Sequence, residues 1–416
     1  MVIPGTVVHD GHVYSVRYTK TNSFNSLSGI KHLVVEEGVE CVNENTFCEC
    51  EDLESVCLSS TVEIVGGNVF SFCPNLKKIV VDERNEWLDS RNNCNAVIET
   101  ESGILVRGCD RTVIPQGVSS IGEMAFYGCA YLDSLVVPEG VRELSPECFR
   151  LCPSLKYVSL PKSLETIETC AFGDCSALES VFIPENVSKI GLGIFEGCCR
   201  LRGVAVDKNN KTYDSRHDCN AVVETATSKI ISGCGNSFIL KGIREIGEDA
   251  FAGTSLQQII IPSSVIHIGE RAFWGCKLCT SISVDNRNAI YYSNEGCNAI
   301  IERVSSLLVQ GCASTSIPSS VKGLGAGAFA AMPLPPIFVI PAGIGIIHES
   351  AFSHCRTLRW VLFPKSSVQI ETHAFYGCSG LVAVSLPDNV ELIDESAFRH
   401  TPYEAKFKEI ISRSGK

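Results

Sequence analysis

Long apolar runs are what this sequence most plainly lacks. Nothing in its 416 residues approaches the roughly 20 consecutive apolar residues that cross a bilayer as a helix, so no transmembrane segment is expected. Basic clusters are missing too. The 35 Lys and Arg are scattered among 47 Asp and Glu, for a net charge of −12, which argues against nucleic acid as a partner. The opening residues MVIPGTVVHDGHVY hold no basic stretch followed by an apolar one, so no signal peptide is expected in the chain as written. Neither a Gly-x-Ser-x-Gly elbow nor a His-Glu-x-x-His pair occurs, and the nine histidines follow no ligand spacing. The stretch GLGAGAF, 323–329, has the look of a phosphate loop but aligns with SIGEMAF, 120–126, a recurring segment of the chain.

What the chain has instead is a packable composition, 45% apolar and 20% charged, with 22 cysteines. Phe is followed three residues later by Cys at Phe47, Phe70, Phe126, Phe149, Phe172, Phe195, Phe273, Phe352 and Phe375. Phe251, Phe329 and Phe398 keep the frame with Thr254, Met332 and Thr401 in the Cys slot. Successive Phe lie 22 or 23 residues apart, with three gaps of 56. Such a period, with regular Leu and Ile positions, marks a leucine-rich repeat solenoid. In SLKYVSLPKSLETIETCAFGDC, 154–175, Leu155, Val158 and Leu160 mark a short strand whose inward side chains are buried, and Pro161 ends its hydrogen bonding. Leu164 and Ile167 follow inward, and Ala171 and Phe172 enter the core from one helical or 3₁₀ turn. Stacked about 4.8 Å apart, about twelve such units make a curved right-handed superhelix with an arc of roughly 60 Å. The interchange of Cys with Thr and Met reads as a demand for size, and the thiols as a buried ladder.

Each 56-residue gap holds one repeat plus an insert: CNAVIETESGILVRGC from Cys94 to Cys109, CNAVVETATSKIISGC from Cys219 to Cys234, and CNAIIERVSSLLVQGC from Cys297 to Cys312. The apolar–polar–apolar order predicts a β-hairpin turning near Glu101–Ser102, Ala226–Thr227 and Val304–Ser305. Folded there, Cys94 faces Cys109, Cys219 faces Cys234 and Cys297 faces Cys312, as paired buried thiols or as cross-strand disulfides. Two cysteines per insert fall short of zinc's four ligands, and six equivalent thiols argue against a single catalytic one. The inserts open on VDERNEWLDS, VDKNNKTYDS and VDNRNAIYYS, 82–90, 207–215 and 285–293 counted from the Asp. Asp82, Asn85 and Asp89, like Asp207, Asn210 and Asp214, offer oxygens to calcium or cap a turn; the third copy has Tyr292 in the last place, which favours the turn. Cys41, Cys48, Cys50 and Cys57 reach zinc's count, but their spacing is irregular and Cys50 already belongs to a repeat. No metal, cofactor or catalytic residue is expected, and the chain is not expected to be an enzyme.

In a solenoid the strands line one face, often the binding face. The third and fifth places of LxxVxL point outward, and across the repeats these places are poorly charged and rich in apolar side chains. Tyr157, Phe182 and Trp360, with Lys78 and Gln258, are the candidate binding residues. Exposed aromatics anchor protein partners and also stack on sugar rings, so a protein partner is expected, or alternatively a glycan.

The pattern LxxVxLPxxLxxIxxxAFxxC, with inserts of the type VDxxNxxYDSRxxCNAxxET…GC, resembles the BspA-like leucine-rich repeat proteins from about Ile30 to Phe398. The resemblance implies a curved solenoid and a surface-displayed or secreted protein of host-associated bacteria or protists. It also implies adhesion and protein–protein contact, with a host or matrix protein as partner, and it carries over no site residue. On this reading residues 1–29 are an N-terminal cap. Residues 30–398 are the solenoid, with inserts at about 82–112, 207–237 and 285–315, and 399–416 are a short amphipathic helix with a basic tail.

Overall fold

The apolar–polar alternation of each repeat forms a strand of two to four residues, paired in parallel with its counterpart one period on. The register steps by 23: His32 pairs with Ser55 and Ser55 with Lys78, while Ser134, Tyr157, Ser180 and Gly203 line up in turn. The computed structural model describes residues 1–386 and 392–413 and divides into two units, Met1–Ser215 and Arg216–Lys416, each a β-solenoid. In the first unit Val2–Ile3, His32–Val35, Ser55–Leu58 and Lys78–Val81 form one parallel sheet. Ser134–Val136, Tyr157–Ser159, Ser180–Ile183 and Gly203–Val206 form another. A second line of two-residue strands, such as Glu143–Leu144 and Thr166–Ile167, runs through each coil. The second unit repeats the plan with Gln258–Ile261 beside Ser281–Val284, and Ile337–Val339, Trp360–Leu362 and Ala383–Ser385 in a separate sheet.

The segment around each Phe is a run of tight turns. Ala125, Tyr127 and Cys129 each donate their N–H to the carbonyl three residues back, the 3₁₀-type bond expected from the sequence. The intervening Met124, Phe126 and Gly128 donate instead to Pro146, Cys148 and Arg150 of the next coil. Residues two before and two after Phe, here Met124 (φ 53°) and Gly128 (φ 72°), are left-handed, which stops the turn from growing into a helix. That explains the recurring Gly before Cys in AFYGC and IFEGC.

The Phe rings stack one coil to the next. Phe126, Phe149, Phe172 and Phe195 lie 5.2, 5.4 and 6.0 Å apart, and Phe329, Phe352, Phe375 and Phe398 lie 5.2, 4.9 and 5.2 Å apart. The Cys slot is more than a matter of size. Cys152, Cys175 and Cys198 donate to the carbonyls of Phe126, Phe149 and Phe172 at 3.0–3.1 Å. Cys276, Cys355 and Cys378 do the same to Phe251, Phe329 and Phe352 at 3.0–3.2 Å. Thr254 and Thr401 replace the S–H by an O–H, donating to the Phe carbonyls of their own coils at 2.8 and 2.6 Å. The slot therefore prefers a small buried donor, which Met332 alone among the three replacements does not supply.

Both ends of the chain add to this packing. Val2–Ile3 pairs with the strand at 32–35, and Phe24 stacks on Phe47 at 5.3 Å. The first coil of the solenoid thus lies within residues 1–29, where the sequence suggests only a cap. At the other end the helix Glu404–Arg413 buries Phe407 and Ile411, and Phe407 meets the Phe398 ring at 4.7 Å, edge to face. The basic tail lies outside the described residues beyond 413.

The inserts are antiparallel hairpins: Val97–Glu99 with Ile104–Arg107, Ala221–Glu224 with Lys229–Gly233, and Ala299–Glu302 with Leu307–Gly311. The second strand of each then pairs in parallel with the next coil. The Gly that recurs before the closing Cys of each insert is dictated by the Phe stack. A Cβ on Gly108, Gly233 or Gly311 would fall 2.2 Å from the ring of Phe126, Phe251 or Phe329.

Candidate binding faces

The motif residues that invite a chemical reading are engaged in packing. Asn85, Asn210 and Asn288 are buried, and each makes four hydrogen bonds. The Asn288 amide donates to the Pro262 and Val265 carbonyls, both at 2.9 Å, while its carbonyl accepts from the Ile290 and Tyr291 N–H groups at 2.9 and 2.8 Å. Asn85 and Asn210 repeat this set one insert earlier each time. The side-chain oxygens of Asp82 and Asp285 bond the Arg84 and Arg287 guanidinium groups, which hold both carboxyls down to about 2. Asp89 accepts from the backbone and Nε of Arg91. These oxygens serve turns and ion pairs. Among the described residues no group of three or more His, Cys, Asp or Glu is arranged to hold a metal ion.

All 22 cysteines lie among the described residues, and none is in a disulfide. The hairpin register does not set the expected pairs directly opposite each other. A register shift between Val97 and Ile98, Val222 and Val223, and Ile300 and Ile301 displaces each pairing by one residue. Cys109 accordingly sits against the Asn95 carbonyl at 3.5 Å, not against Cys94. Cys234 and Cys312 take the Asn220 and Asn298 carbonyls at 3.5 and 3.7 Å. Cys94 and Cys219 turn to the carbonyls of Ala96 and Ala221, and Cys297 to the Ser293 hydroxyl. Burial pushes ladder thiols such as Cys129 and Cys276 up to about 12, so they remain protonated. The early cluster is dispersed as well: Cys50 donates to the Phe24 carbonyl, Cys41 bonds Asn43, and Cys57 is exposed on a strand.

With the motifs engaged, the outward strand positions are what each unit presents. Tyr157, Phe182 and Trp360 are 52%, 53% and 50% exposed, and Lys78 and Gln258 are exposed too. The five fall in four different sheets, so only Tyr157 and Phe182 share one. These two stand on adjacent strands, with Tyr157 paired to Ser180, and the Tyr157 hydroxyl donates to the Glu179 carboxylate at 2.7 Å. Around Trp360 the grouping is tighter. Ile337 pairs directly with Trp360 and Val339 with Leu362, which sets four exposed apolar side chains on one face of adjoining strands. Ile337 and Val339 are 57% and 61% exposed. The outward place of each is readable from the alternation; their adjacency depends on the register.

The repeat that builds these faces also decides the family. The family model described as "BspA type Leucine rich repeat region (6 copies)" matches residues 13–96, 108–218, 232–305 and 307–407. The chain belongs to the BspA-type leucine-rich repeat family. Among solved structures it is similar to a leucine rich cell surface protein from Faecalibacterium prausnitzii A2-165, at 22% identity, covering 96% of this chain and 90% of that one, with a TM-score of 0.47. It is also similar to leucine-rich repeat proteins from Bacteroides ovatus, at 22% identity over 93% of this chain and 80% of that one, TM-score 0.36, and Eubacterium ventriosum, at 16% over 94% and 90%, TM-score 0.36. No curated protein matches it. No helix among the described residues of this BspA-type chain is long and apolar enough to cross a membrane.

Proposed function

We propose that this BspA-type chain is a non-catalytic binding module that takes a protein partner on its outward strand positions. The observation that carries the proposal is the exposed apolar set Ile337, Val339, Trp360 and Leu362, held side by side on paired strands in a chain whose repeat motifs are committed to packing. A cluster of that kind on a soluble surface marks an interaction site, and a Trp near its centre is the usual anchor. Display at a cell surface or secretion, and adhesion to a host or matrix protein, complete the proposal and rest on the family. The second reading is a glycan. It is favoured by Tyr157, whose exposed ring lies beside the Glu179 carboxylate that sugar hydroxyls would bond.

A binding screen against extracellular matrix proteins and glycans tests both. Trp360→Ala is expected to weaken a protein hit about thirtyfold, matching the ~2 kcal/mol of a buried aromatic anchor. A glycan hit lost in Tyr157→Ala/Phe182→Ala but kept in Trp360→Ala selects the second reading. Binding that survives all three substitutions removes the strand faces as the site.

A further inference from the structure

The positive charge beside Trp360 lacks the counter-charge that the same place carries elsewhere in the chain. The residue ahead of each outward strand donates its N–H to its counterpart one coil earlier. Glu54 is bonded in this way to Lys31 and Lys77 to Glu54, and likewise Lys156 to Asp133, Glu179 to Lys156 and Arg202 to Glu179. Charge alternates in sign along both runs, and the Lys31 and Glu54 side chains meet at 3.3 Å. With strands about 4.8 Å apart, such a column neutralises itself. Arg359 holds this place ahead of Trp360, but its backbone bonds to Pro336 on one side and Val382 on the other. Arg356, on the turn leading into the same strand, has Pro333 and Ser379 one repeat to either side. Both arginines are exposed, and among the described residues neither guanidinium has an ion pair, a hydrogen bond or a ring contact. Between Pro333 and Leu386 the only carboxylates are Glu349 and Glu371, which follow the second line of strands, and Glu371 pairs with His348 at 3.0 Å. The next two in the chain, Asp388 and Glu391, lie outside the described residues. In a protein of net charge −12, the Trp360 face is thus apolar with a positive edge.

We infer that the partner covering Ile337, Val339, Trp360 and Leu362 is an acidic protein segment, with Asp or Glu beside its apolar anchors and a carboxylate set on Arg359. The inference rests on the binding face proposed above and adds the partner's charge to it. A partner that covers Trp360 also draws water from the residue before it. An apolar or basic segment would leave the Arg359 guanidinium desolvated without a counter-ion, or set against a like charge. A carboxylate removes that cost, and the planar guanidinium can take it through two parallel N–H bonds. Arg356 adds a second positive charge on the approach to the strand and widens the same preference. The apolar set supplies affinity, and the arginines supply the discrimination between partners.

The test selects random peptides displayed on phage against the full chain, with Trp360→Ala as the counter-selection. Peptides kept by the wild type and lost by Trp360→Ala are expected to carry Asp or Glu next to Leu, Ile, Phe or Trp. The same selection on Arg356→Glu/Arg359→Glu is expected to return Lys and Arg in place of the acids. For a synthetic copy of a selected acidic peptide, Arg359→Ala should weaken binding about two- to fivefold, the range of one partly exposed charge pair. Added sodium chloride should weaken wild-type binding more than that of Arg359→Ala. Trp360-dependent peptides without acidic bias, a selection unmoved by charge reversal, or wild-type binding indifferent to salt would each overturn the inference and leave the binding face standing. Wild-type binding to phosphatidylserine vesicles that Trp360→Ala abolishes would overturn it in favour of an anionic lipid surface. Peptide recovery that Trp360→Ala does not reduce would remove the face, and the inference with it. The peptide composition and salt dependence are read on the wild-type chain, so they decide the matter even where a charge-reversed variant fails to fold.

Discussion

Replacing Phe149 by Ala is expected to lower the unfolding free energy by about 3–5 kcal/mol, the cost of deleting a fully buried aromatic ring whose surroundings cannot close. The ring has no exposed surface and lies between Phe126 at 5.2 Å and Phe172 at 5.4 Å, so its loss removes two stacking partners at once. Each stacked pair adds about 0.5–1.5 kcal/mol beyond burial, which places the result toward the upper end. The neighbourhood is fixed from both directions. The Phe149 N–H donates to the Ala171 carbonyl, and its own carbonyl receives the Cys175 thiol, so the coils cannot slide together to fill the gap. In a solenoid each coil touches only its neighbours, and a hole in one coil weakens both interfaces. Phe182→Ala is the matched control: the same chemical change on an exposed strand position should move stability by less than about 0.5 kcal/mol. Urea unfolding of the two variants checks this, and equal effects would mean that the Phe column is not the core.

Asn288→Leu is expected to cost about 3 kcal/mol or more, although Leu is nearly the same size and more apolar. The substitution strands the Val265 carbonyl and two N–H groups, Ile290 and Tyr291, in a buried place, and leaves the Pro262 carbonyl with only the Val265 N–H. Each buried polar group left without a partner costs about 1–3 kcal/mol, and Leu occupies the space a water would need. Asn288→Asp keeps the acceptor but loses both donor bonds and should fall between Leu and wild type. Thermal unfolding with and without added calcium separates the packing role from a metal role. Packing predicts a low melting point for both variants and no calcium effect on any of the three proteins.

The coil was legible because every repeat buries the same places, so period and alternation survive in the letters. The strand at 157–159, its outward Tyr157 and the column of Phe follow from spacing alone. Three things were hidden for physical reasons. The register shift at Val97 and Ile98 lies in a run apolar on both faces, so nothing in the alternation marks it, and one residue of slip moved Cys109 from Cys94 to Asn95. Phe24 escaped notice because Leu27 occupies its Cys slot, although it lies 23 residues before Phe47. The thiol ladder's role as a donor column is a matter of direction, which side-chain size does not report. Of the candidate faces, exposure was readable position by position, but the sharing of sheets was not. Lys78, Gln258 and Trp360 stand in line in the sequence pattern and in three separate sheets in the fold.

The most direct test of the binding proposal is hydroxyl-radical footprinting of the aromatic side chains with and without a partner from the screen. Tyr131, Phe238 and Trp87 are also exposed but lie off the strand faces, so they serve as internal references. Loss of oxidation at Trp360, or at Tyr157 and Phe182, with Tyr131, Phe238 and Trp87 unchanged is the predicted result. Protection of Tyr131, Phe238 or Trp87 while Tyr157, Phe182 and Trp360 stay reactive would contradict it and move the function off the strands.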